Sequence, residues 1–355
     1  MRIAHPASTV VARTDTNKEW PVRVRQRDIA YAAGVSQATV SLVVSGRASD
    51  GGVSPRTQER VRTAMVDLGY VPDPVAQSLR GGRSGLIGVF TYEPIFPATP
   101  DDYFHEFLVG IEVAAAELGR DLVLFSSTQR ADGTRTIYDR GTNRLQVADG
   151  SVVLGQRRDE DELRRLAADG YPFVSLGGYD PVPEAAWVAV DYAAAVRSIL
   201  ADLHGAGHRR LAYVRGDDER LPSKARREAF AAATAEDETH RVTPSELSRE
   251  LVEHWVRDGV SAVVAENPAV AESLAAAVSR AGLRIPDDLS AVCLERPLRS
   301  GRTAGWSHLV IPKHEVGSRT VRALAAILDG ELPTDHHGLI RCLPHHLGTI
   351  ASTGE

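Results

Sequence analysis

The residues most able to bind a metal or to catalyse a reaction are sparse in this sequence of 355 residues. Two tandem histidine pairs, at 336–337 and 345–346, could suggest a metal site, but adjacent side chains point apart along the chain. Cys293 and Cys342 lack CxxC or Cys/His ligand spacing, and we expect both to act as plain small hydrophobic residues. GxSxG, GxxxxGKS/T and strand-linked GxGxxG motifs are also missing, so we predict no catalytic residue, no metal and no cofactor.

A second group of polar residues, which can form hydrogen bonds, lies at the start of a predicted helix. Within residues 27–46, RDIAYAAGVSQATVSLVVSG, Gly34 gives a tight interhelical turn its conformational freedom and Val35 plugs that turn. Ser36 is a good N-cap for a helix that begins at Gln37 with polar residues. Ala-x-x-Ala-Gly-Val-Ser before a polar helix start is typical of a helix-turn-helix, which can hydrogen-bond DNA. Any small three-helix bundle is the structural alternative.

Three predicted helices position this polar turn. Apolar residues recur at spacings that place them on the facing sides of two short helices, namely Ile29, Ala30, Ala33, Val35, Val40 and Val43. A third helix has Ser54 as its N-cap and Pro55 at its first position, and it ends at Gly69. We therefore predict an all-α head over residues 22–70, in which the third helix covers the first two.

The segment after the third helix predicts a short and marginal helix. In residues 70–85, YVPDPVAQSLRGGRSG, Asp73 can cap a helix that starts at Pro74 and ends before the glycines at 81–82. A helix of fewer than two turns is unstable alone, because nucleation fixes several residues before a hydrogen bond is gained. We expect residues 71–84 to form a hinge that folds against a partner or DNA, with a flexible linker as the alternative.

Length and charge also divide the chain. A chain of 355 residues suggests two or three folding units, and 43% hydrophobic with 25% charged residues is typical of a globular protein. Residues 1–83 carry 12 Lys and Arg against 7 Asp and Glu, a net charge of +5, whereas the rest carry 29 against 40, a net charge of −11. A basic head on an acidic body suggests that the head binds nucleic acid.

The start of the chain and its apolar runs bear on location. No apolar run is long enough to span a bilayer, and the first 20 residues lack the apolar core of a signal peptide. We therefore expect a cytoplasmic protein that makes no membrane contact. Residues 1–21 are expected to be a disordered extension of the head.

From Leu86 onward, apolar strand-like runs alternate with helical segments. The strand-like runs include LIGVF, DLVLFSS, PFVSLGG, RLAYVRG and SAVCLE. Such alternation predicts parallel sheets with helices on both faces. We predict an α/β body over residues 85–355, built as two doubly wound parallel-sheet lobes, with the chain crossing between the lobes near residues 190, 310 and 339.

Two of these stretches carry a family resemblance. Residues 27–46, quoted above, and residues 53–90, VSPRTQERVRTAMVDLGYVPDPVAQSLRGGRSGLIGVF, look like the lactose-repressor (LacI/GalR) family of transcription regulators. The resemblance continues through most of the body. It implies a homodimeric regulator, in most family members a repressor, that binds a pseudo-palindromic operator in double-stranded DNA. It also implies that the two lobes of the body are periplasmic-binding-protein-like.

The resemblance assigns roles to residues of the head. In the family the second helix lies in the major groove, which implies that Gln37, Ala38 and Leu42 read base edges. It also implies a set that mostly holds phosphates, namely Arg25, Arg27, Ser36, Thr39, Ser41, Ser45 and Ser54. Tyr70 is expected to belong to the same DNA-binding surface. Leu79, with Ala76 beside it, matches the hinge residue that wedges into the minor groove.

This sequence also departs from the family pattern in the head. Apolar Ala38 and Leu42 stand where polar base readers can sit, and the loop over residues 48–52 is longer and rich in glycine. The operator sequence of a relative therefore cannot be carried over to this chain.

The body offers candidate effector-binding residues at the ends of its strand-like runs, because open parallel sheets bind ligands at the carboxyl ends of their strands. The candidates are Tyr92, Tyr103, Phe104, Asp191, Arg226, Asn267 and Glu295. The resemblance implies that Arg226 and Glu295 contact the ligand, since a guanidinium and a carboxylate can hydrogen-bond sugar hydroxyls or a charged group. Core packing is the alternative for Tyr103 and Phe104, and a helix cap is the alternative for Asp191.

Two further departures fall in the body. Gly177 stands where the lactose repressor has a pocket aspartate, and Glu266-Asn267 replaces the Asn-Asp pair common in the family. The identity of the effector therefore cannot be carried over either.

These observations predict a DNA-binding regulator whose operator affinity is controlled by a small molecule, a sugar or a sugar derivative. A regulator that ignores ligands is the first alternative. An enzyme is a second, because doubly wound sheets often carry catalysis, but the motif search above opposes it. A sugar-binding uptake protein is a third, and the helix-turn-helix opposes that.

Overall fold

The structure is a computed structural model. It describes residues 24–70, 83–92, 103–127, 133, 135–155, 158–177, 182–216, 221–234, 239–297, 301–345 and 348–353. The chain divides into two compact units, residues 1–82 and residues 83–355, which are called the head and the body below. The predicted extension over residues 1–21 and the hinge residues Ala76 and Leu79 lie outside the described residues.

The head contains the three predicted helices, α1 (Gln26–Ala33), α2 (Gln37–Val44) and α3 (Pro55–Asp67). Gly34 ends α1 in the left-handed conformation, with φ of 62°, which confirms the predicted turn. The predicted N-caps are also confirmed, because the Ser36 hydroxyl accepts a hydrogen bond from the Thr39 amide at 3.1 Å. In the same way, the Ser54 hydroxyl accepts one from the Thr57 amide at 3.3 Å.

A small apolar core holds these helices together. One buried residue from each helix is fully enclosed, namely Ile29, Val40 and Val61. Partly buried residues close the edges of this core: Val24, Val35, Val43, Val44, Met65 and Tyr70. Because so few side chains form the core, each contributes a large share of the head's stability.

The body alternates strands and helices along the chain. The described strands are β1 (Leu86–Thr91), β2 (Asp121–Phe125), β3 (Tyr138–Asp139), β4 (Thr142–Asn143), β5 (Gly150–Leu154), β6 (Phe173–Leu176), β7 (Ala186–Val190), β8 (Leu211–Val214), β9 (Thr239–Val242), β10 (Ala262–Ala265), β11 (Ser290–Cys293), β12 (Ser307–Val310), β13 (His337–Ile340) and β14 (Leu343–His345). The described helices are α4 (His105–Glu117), α5 (Glu160–Ala168), α6 (Tyr192–Gly205), α7 (Leu221–Ala233), α8 (Arg249–Arg257), α9 (Pro268–Arg280) and α10 (Lys313–Leu328). Two 3-10 turns lie at Arg144–Val147 and Pro244–Glu246.

Most of these strands form two six-stranded sheets with related topology. The first has the order β13-β7-β6-β5-β1-β2 and is parallel throughout. The second has the order β14-β12-β11-β10-β8-β9 and is parallel except for β14, which pairs antiparallel with β12. The chain passes from the first sheet to the second after Val190, returns after Val310 and crosses again after Ile340.

Helices cover both faces of each sheet, as the sequence predicts for a doubly wound fold. In β1, Ile87 and Val89 face α4 and α10, whereas Phe90 faces the apolar group under α5. In β10, Val264 joins the core under α6 and α7, and Val263 joins the core under α8 and α9. The alternation within each strand explains why these buried strands read as continuous apolar runs.

Two helices of the first lobe approach each other unusually closely. Helices α4 and α10 pack along their length, and a glycine on each allows backbone to meet backbone. A Cβ on Gly110 would overlap the carbonyl oxygen of His314, and a Cβ on Gly317 would overlap the carbonyl oxygen of Phe107. The position of α10, and of the residues at its start, is therefore fixed by direct backbone contact.

No helix in the described ranges is both long enough and apolar enough to cross a membrane.

Candidate functional site

The first turn of α2 presents its side chains to solvent. Gln37 and Ala38 are exposed beside the exposed cap residue Ser36, whereas Val40 is buried in the head core. Residues three or four apart share one face of a helix, so Ser41 lies on the same side as Gln37 and Ala38. This face offers hydroxyl and amide groups of the kind that hydrogen-bond base edges and phosphates.

Leu42, the third predicted base-reading residue, is half-buried against the loop that follows α2. This loop closes on itself, because the Gly51 amide donates to the Arg47 carbonyl at 3.0 Å and the Val53 amide donates to the Ala48 carbonyl at 2.9 Å. A Cβ on Gly51 would lie only 2.6 Å from a methyl carbon of Leu42. The longer loop therefore gives Leu42 an apolar contact within the head, at the edge of the polar turn.

The predicted phosphate-holding residues line the starts of the three helices and the end of α2. Their side chains are exposed or half-buried at Arg25, Arg27, Ser36, Thr39, Ser41, Ser45 and Ser54. Several have structural partners as well: Ser36 and Ser54 cap helices, and the Ser45 hydroxyl donates to the Leu42 carbonyl at 3.3 Å. Tyr70 is half-buried and packs on the head core. The DNA-binding roles of all these residues stay predictions.

In the body, several of the predicted effector residues lie around the buried guanidinium of Arg226. Arg226 lies in the second turn of α7, a helix that begins five residues earlier, and is 2% exposed. Its Cζ lies 4.6 Å from the centre of the Tyr192 ring, and its Nη2 lies 3.6 Å from Oε2 of Glu295. Its Nη1 donates to the Glu266 carbonyl at 3.1 Å. Among the described residues, Nε and Nη2 of Arg226 have no hydrogen-bond partner.

A second cation faces the same carboxylate. Nζ of Lys313, the first residue of α10, lies 3.6 Å from Oε1 of Glu295 and 4.2 Å from the centre of the Tyr103 ring. Tyr103 meets Phe104 edge to face at 5.0 Å, and Tyr103 and Tyr192 lie close enough for each to alter the pKa of the other. Four predicted residues therefore lie in one cluster, which Lys313 and Tyr192 complete; it is called the Arg226 cluster below.

Burial and charge set the protonation states in the Arg226 cluster. Burial raises the pKa of Tyr103 well above its ordinary value, and the neighbouring Tyr192 and Glu295 raise it further. Burial alone lowers the pKa of Arg226, but Tyr192 and Glu295 outweigh that effect and the pKa is raised. Burial raises the pKa of the nearby Cys293 thiol to about 12. At neutral pH the guanidinium is charged, while the phenol and the thiol stay protonated.

Two other predicted pocket residues cap helices. Oδ1 of Asp191 accepts a hydrogen bond from the Ala194 amide at 2.8 Å and caps α6. Oδ1 of Asn267 accepts one from the Val270 amide at 3.0 Å and caps α9. The cap that the sequence offered as the alternative for Asp191 is thus present, and the effector-binding roles of both residues stay predictions.

The structure places Tyr92 apart from the Arg226 cluster. Tyr92 belongs to a second apolar group on the opposite face of the first sheet, whose members include Phe90, Leu163 and Leu166. Its hydroxyl donates to the Asp159 carbonyl at 3.4 Å, and burial raises its pKa far above the usual range. Of the seven candidate effector residues, Tyr92 is thus one that the fold does not bring to Arg226.

Glu266, noted in the sequence only as a departure from the family pattern, is a fully buried carboxylate. Its Oε2 accepts hydrogen bonds from the Gly216 amide at 2.9 Å and from the Tyr213 hydroxyl at 3.3 Å. Arg227 lies 3.8 Å from the same oxygen. These partners show that the Glu266 charge is compensated from its own lobe, next to the carbonyl that Arg226 contacts.

Sequence reasoning missed Lys313 and Tyr192. A signal for Lys313 was present, because it is one of three lysines in the chain and lies three residues after the end of β12. Tyr192 adjoins Asp191, which was singled out for the same reason, namely its position after a strand. Among the described residues no group of three metal-binding side chains is present. Cys293 and Cys342 are both buried thiols.

Two family profiles match the chain. The profile described as bacterial regulatory proteins, lacI family, matches residues 27–73. The profile described as a periplasmic binding protein-like domain matches residues 200–344. The first match covers the turn and α2, and the second covers most of the second lobe together with α10.

Two curated relatives extend these matches along the chain. An uncharacterized HTH-type transcriptional regulator in the aml 5′ region of Streptomyces limosus is 31% identical over 295 residues, which is 77% of this chain and 78% of that protein. The maltose regulon regulatory protein MalI of Escherichia coli (strain K12) is 32% identical over 200 residues. The latter match spans 56% of each protein, so the chain matches about half the length of MalI.

Solved structures show the same fold. The lac repressor dimer bound to operator and the anti-inducer ONPF superposes with a TM-score of 0.67 and 22% identity, over 93% of this chain and 99% of that one. A complex of the transcriptional regulator CelR with cellobiose superposes with a TM-score of 0.54 and 21% identity, over 92% of this chain and 100% of that one. These similarities confirm the predicted fold class, an all-α head followed by a two-lobed α/β body.

Proposed function

The chain belongs to the lacI family of bacterial regulatory proteins and is a DNA-binding transcription regulator, and we propose that a small molecule bound in its body controls its affinity for an operator. The family it belongs to consists of regulators, not enzymes. The observation that carries the proposal is the Arg226 cluster, in which a buried guanidinium keeps N–H donors that no described residue accepts. Buried donors of this kind are rare unless a ligand or water uses them.

The exposed first turn of α2 supports an assignment for the DNA-reading residues. We assign base-edge contacts to Gln37 and Ala38, because they are exposed on the face opposite the head core. Leu42 is assigned an apolar contact with a thymine methyl group, since the loop behind it holds it at the edge of that face. The phosphate contacts are assigned to the surrounding arginines and hydroxyl residues named above, and to Tyr70, all of which would fix the register of the head on the duplex.

The symmetry of the operator follows if the protein works as a homodimer. Each head would then read one half-site, and the two half-sites would form a pseudo-palindrome. The hinge over residues 71–84 would fold between the two half-sites, with Leu79 wedged into the minor groove beside Ala76. A solved relative in the fold comparison is a dimer bound to operator, which supports this arrangement. A regulator of chromosomal DNA would act in the cytoplasm, and repression is the direction we propose.

A carbohydrate is the class of effector that we propose. The Arg226 cluster combines charged hydrogen-bonding groups with the rings of Tyr103, Phe104 and Tyr192, and this combination is common in sugar-binding sites. A fold relative binds cellobiose, which supports the class and leaves the particular sugar open. The cluster joins residues of both lobes, so a ligand there could alter the angle between the lobes and thereby the spacing of two hinges.

One observation favours a second candidate, a regulator that needs no ligand. Glu295 already pairs with Arg226 and with Lys313 at 3.6 Å each, so the cluster can hold the two lobes together by itself. In such a protein the Arg226 cluster would be structural and operator affinity would be constant.

Selection of bound duplexes from a random DNA pool by the purified full-length protein tests the DNA half of this function. We expect a pseudo-palindrome, and we expect Gln37→Ala to relax the preference at one position of each half-site by about 1–3 kcal/mol. Glu315→Gln, an exposed change on α10, is the control and should select the same sequence as the unaltered chain. No enriched sequence at low salt would contradict the proposal.

The selected operator then tests the effector half. Fluorescence anisotropy of labelled operator should change when a binding sugar is added, and Arg226→Lys should weaken that response without changing the affinity for DNA alone. An operator affinity that no sugar alters would favour the ligand-independent regulator.

A further inference from the structure

The charges in the Arg226 cluster do not balance. Arg226 and Lys313 both approach one carboxylate, that of Glu295, and each stands 3.6 Å from it, beyond ordinary hydrogen-bond distance. The neighbouring carboxylate of Glu266 is fully buried and has Arg227, the Tyr213 hydroxyl and the Gly216 amide as partners of its Oε2. Among the described side chains of the cluster, two cations therefore share one anion.

Several N–H donors of these two cations have no acceptor among the described residues. Nε and Nη2 of Arg226 are buried and have no hydrogen-bond partner in the described part of the chain. The Lys313 ammonium has only the distant Glu295 oxygen and the face of the Tyr103 ring as described neighbours. Both cations can accept a further oxygen ligand without losing an existing hydrogen bond.

Two side chains of the cluster reach solvent and the third is enclosed. Those of Glu295 and Lys313 are 15% and 17% exposed, whereas that of Arg226 is 3% exposed. The Tyr103 ring holds the Lys313 ammonium in position, and the backbone contact between α4 and α10 fixes the start of α10. The second cation is thus built into the site and is not a mobile surface lysine.

We propose that the effector carries an acidic group, a carboxylate or a phosphate, which is held between the guanidinium of Arg226 and the ammonium of Lys313. The inference rests on the proposed function and names the ligand class of that site as an acidic sugar. Planar guanidinium groups bind carboxylate and phosphate oxygens through two parallel N–H donors, and the ammonium adds a third contact. The acidic group would balance the charge and would join the two lobes, since Arg226 belongs to the second and Lys313 to α10 of the first.

Matched pairs of neutral and acidic sugars test this proposal on the full-length protein. Isothermal titration calorimetry would compare glucose with glucuronate and glucose 6-phosphate, and galactose with galacturonate and galactose 6-phosphate, at constant ionic strength. We expect at least one acidic sugar to bind with a Kd about 10-fold to 100-fold below that of its neutral partner, the effect of one or two charged hydrogen bonds. The carboxylate and phosphate members show which acidic group the site accepts.

Variants of Lys313 separate a specific contact from general electrostatic attraction. Lys313→Met should reduce the preference for the acidic sugar by about 10-fold and leave the binding of the neutral partner unchanged, whereas Lys313→Arg should keep most of the preference. Lys224→Met removes the same charge from an exposed position on α7 and should change neither value.

The outcomes distinguish this inference from the function on which it rests. Neutral sugars that bind as tightly as their acidic partners would overturn the acidic-ligand proposal and leave a sugar-controlled regulator standing. A Lys313→Met variant that weakens both members of a pair equally would also overturn it. Binding of no sugar, neutral or acidic, would overturn it together with the effector half of the proposed function.

Discussion

The head and the body hold their candidate binding residues in opposite environments. In the head, Gln37 and Ala38 are exposed and stand next to each other in one helical turn. In the body, Arg226 is almost fully buried in a cluster whose members, from Tyr103 to Lys313, are far apart in the sequence. DNA is a large preformed surface, so the DNA-binding side chains of the head can be exposed before binding. A small ligand must instead be enclosed by a site that is already formed in the folded body.

The two environments differ in energetic cost. Exposed polar groups on α2 are hydrated before binding and cost the head nothing, so the head is stable on a small core. A buried guanidinium costs free energy unless charges and rings surround it, and the body provides these from two lobes with extensive cores. We expect the head to be sensitive to single core changes and the body to be sensitive mainly where backbone meets backbone.

The largest expected effect is in the head core. Ile29→Ala removes a fully buried side chain from a core with few members, and we expect the head to lose about 3–4 kcal/mol and to unfold. Operator binding measured by fluorescence anisotropy should then disappear. Sugar binding by calorimetry should not change, because the body has its own core.

Val66→Ala is the matched control for this change. Val66 lies on α3 and is 79% exposed, so its truncation should cost little and leave operator binding intact. Loss of sugar binding in Ile29→Ala would show that folding of the body depends on the head. It would contradict the view that the two units are stabilised by separate cores.

The second expected effect is in the body. Gly317→Ala places a Cβ against the Phe107 carbonyl, so α4 and α10 must separate, and we expect a loss of about 2–3 kcal/mol in urea denaturation of the full chain. Gly205→Ala in α6 is the control, since a Cβ there meets nothing within 4 Å and a helix favours alanine. A Gly317→Ala variant as stable as the unaltered chain would mean that α10 can shift without cost.

The same contrast explains how much of the structure the sequence predicted. The turn at Gly34 and the caps Ser36 and Ser54 followed from local residue types, because each acts on residues within four positions. The doubly wound pattern followed from alternating apolar runs. Strand β7 and helix α10 were not predicted, although the buried residues Val316, Thr320, Leu324 and Ile327 of α10 recur at the three- and four-residue spacing of a helix.

The Arg226 cluster was predictable only in part. The rule that ligands bind at the carboxyl ends of strands pointed to Arg226, Glu295, Tyr103 and Phe104, which lie together. The same rule also selected Tyr92, which lies on the other face of its sheet. The rule identifies residues at the end of a strand but does not predict which face of the sheet their side chains occupy. Lys313 was missed because its role depends on α10 returning to the first lobe, a contact between segments far apart in the chain.

A third and smaller effect concerns helix capping in the head. Ser54→Ala leaves the Thr57 amide without its acceptor and should cost about 1 kcal/mol of head stability, seen as a lower thermal midpoint for loss of operator binding. Ser54→Asp keeps an acceptor at the cap and should restore most of that loss. If both variants lower the midpoint equally, the hydroxyl contributes through something other than the cap.

The smallest effect is a pH dependence in the body. His208 accepts a hydrogen bond at Nδ1 from the Ser261 hydroxyl at 2.8 Å, because its Nε2 must donate to the Ala351 carbonyl at 2.9 Å. Burial lowers the pKa of His208 below its ordinary value of 6.5, and the charge of Arg209 adds to that lowering against the opposing effect of the Ala351 hydrogen bond. The folded protein therefore prefers the neutral ring, which ties residues 348–353 to the second lobe.

A lowered pKa in the folded state fixes the direction of this pH dependence. Below pH 6.5 the unfolded chain binds a proton at His208 that the folded chain resists, so the body should lose stability as the pH falls from 6.5 towards the folded pKa. Above pH 6.5 the contribution should be constant. Urea denaturation between pH 5 and pH 8 measures the slope, and His208→Gln, which cannot titrate, should show a shallower slope over the acidic part of that range. Equal slopes in the two proteins would mean that other groups cause the dependence and that the ring is free to take up its proton in the folded lobe.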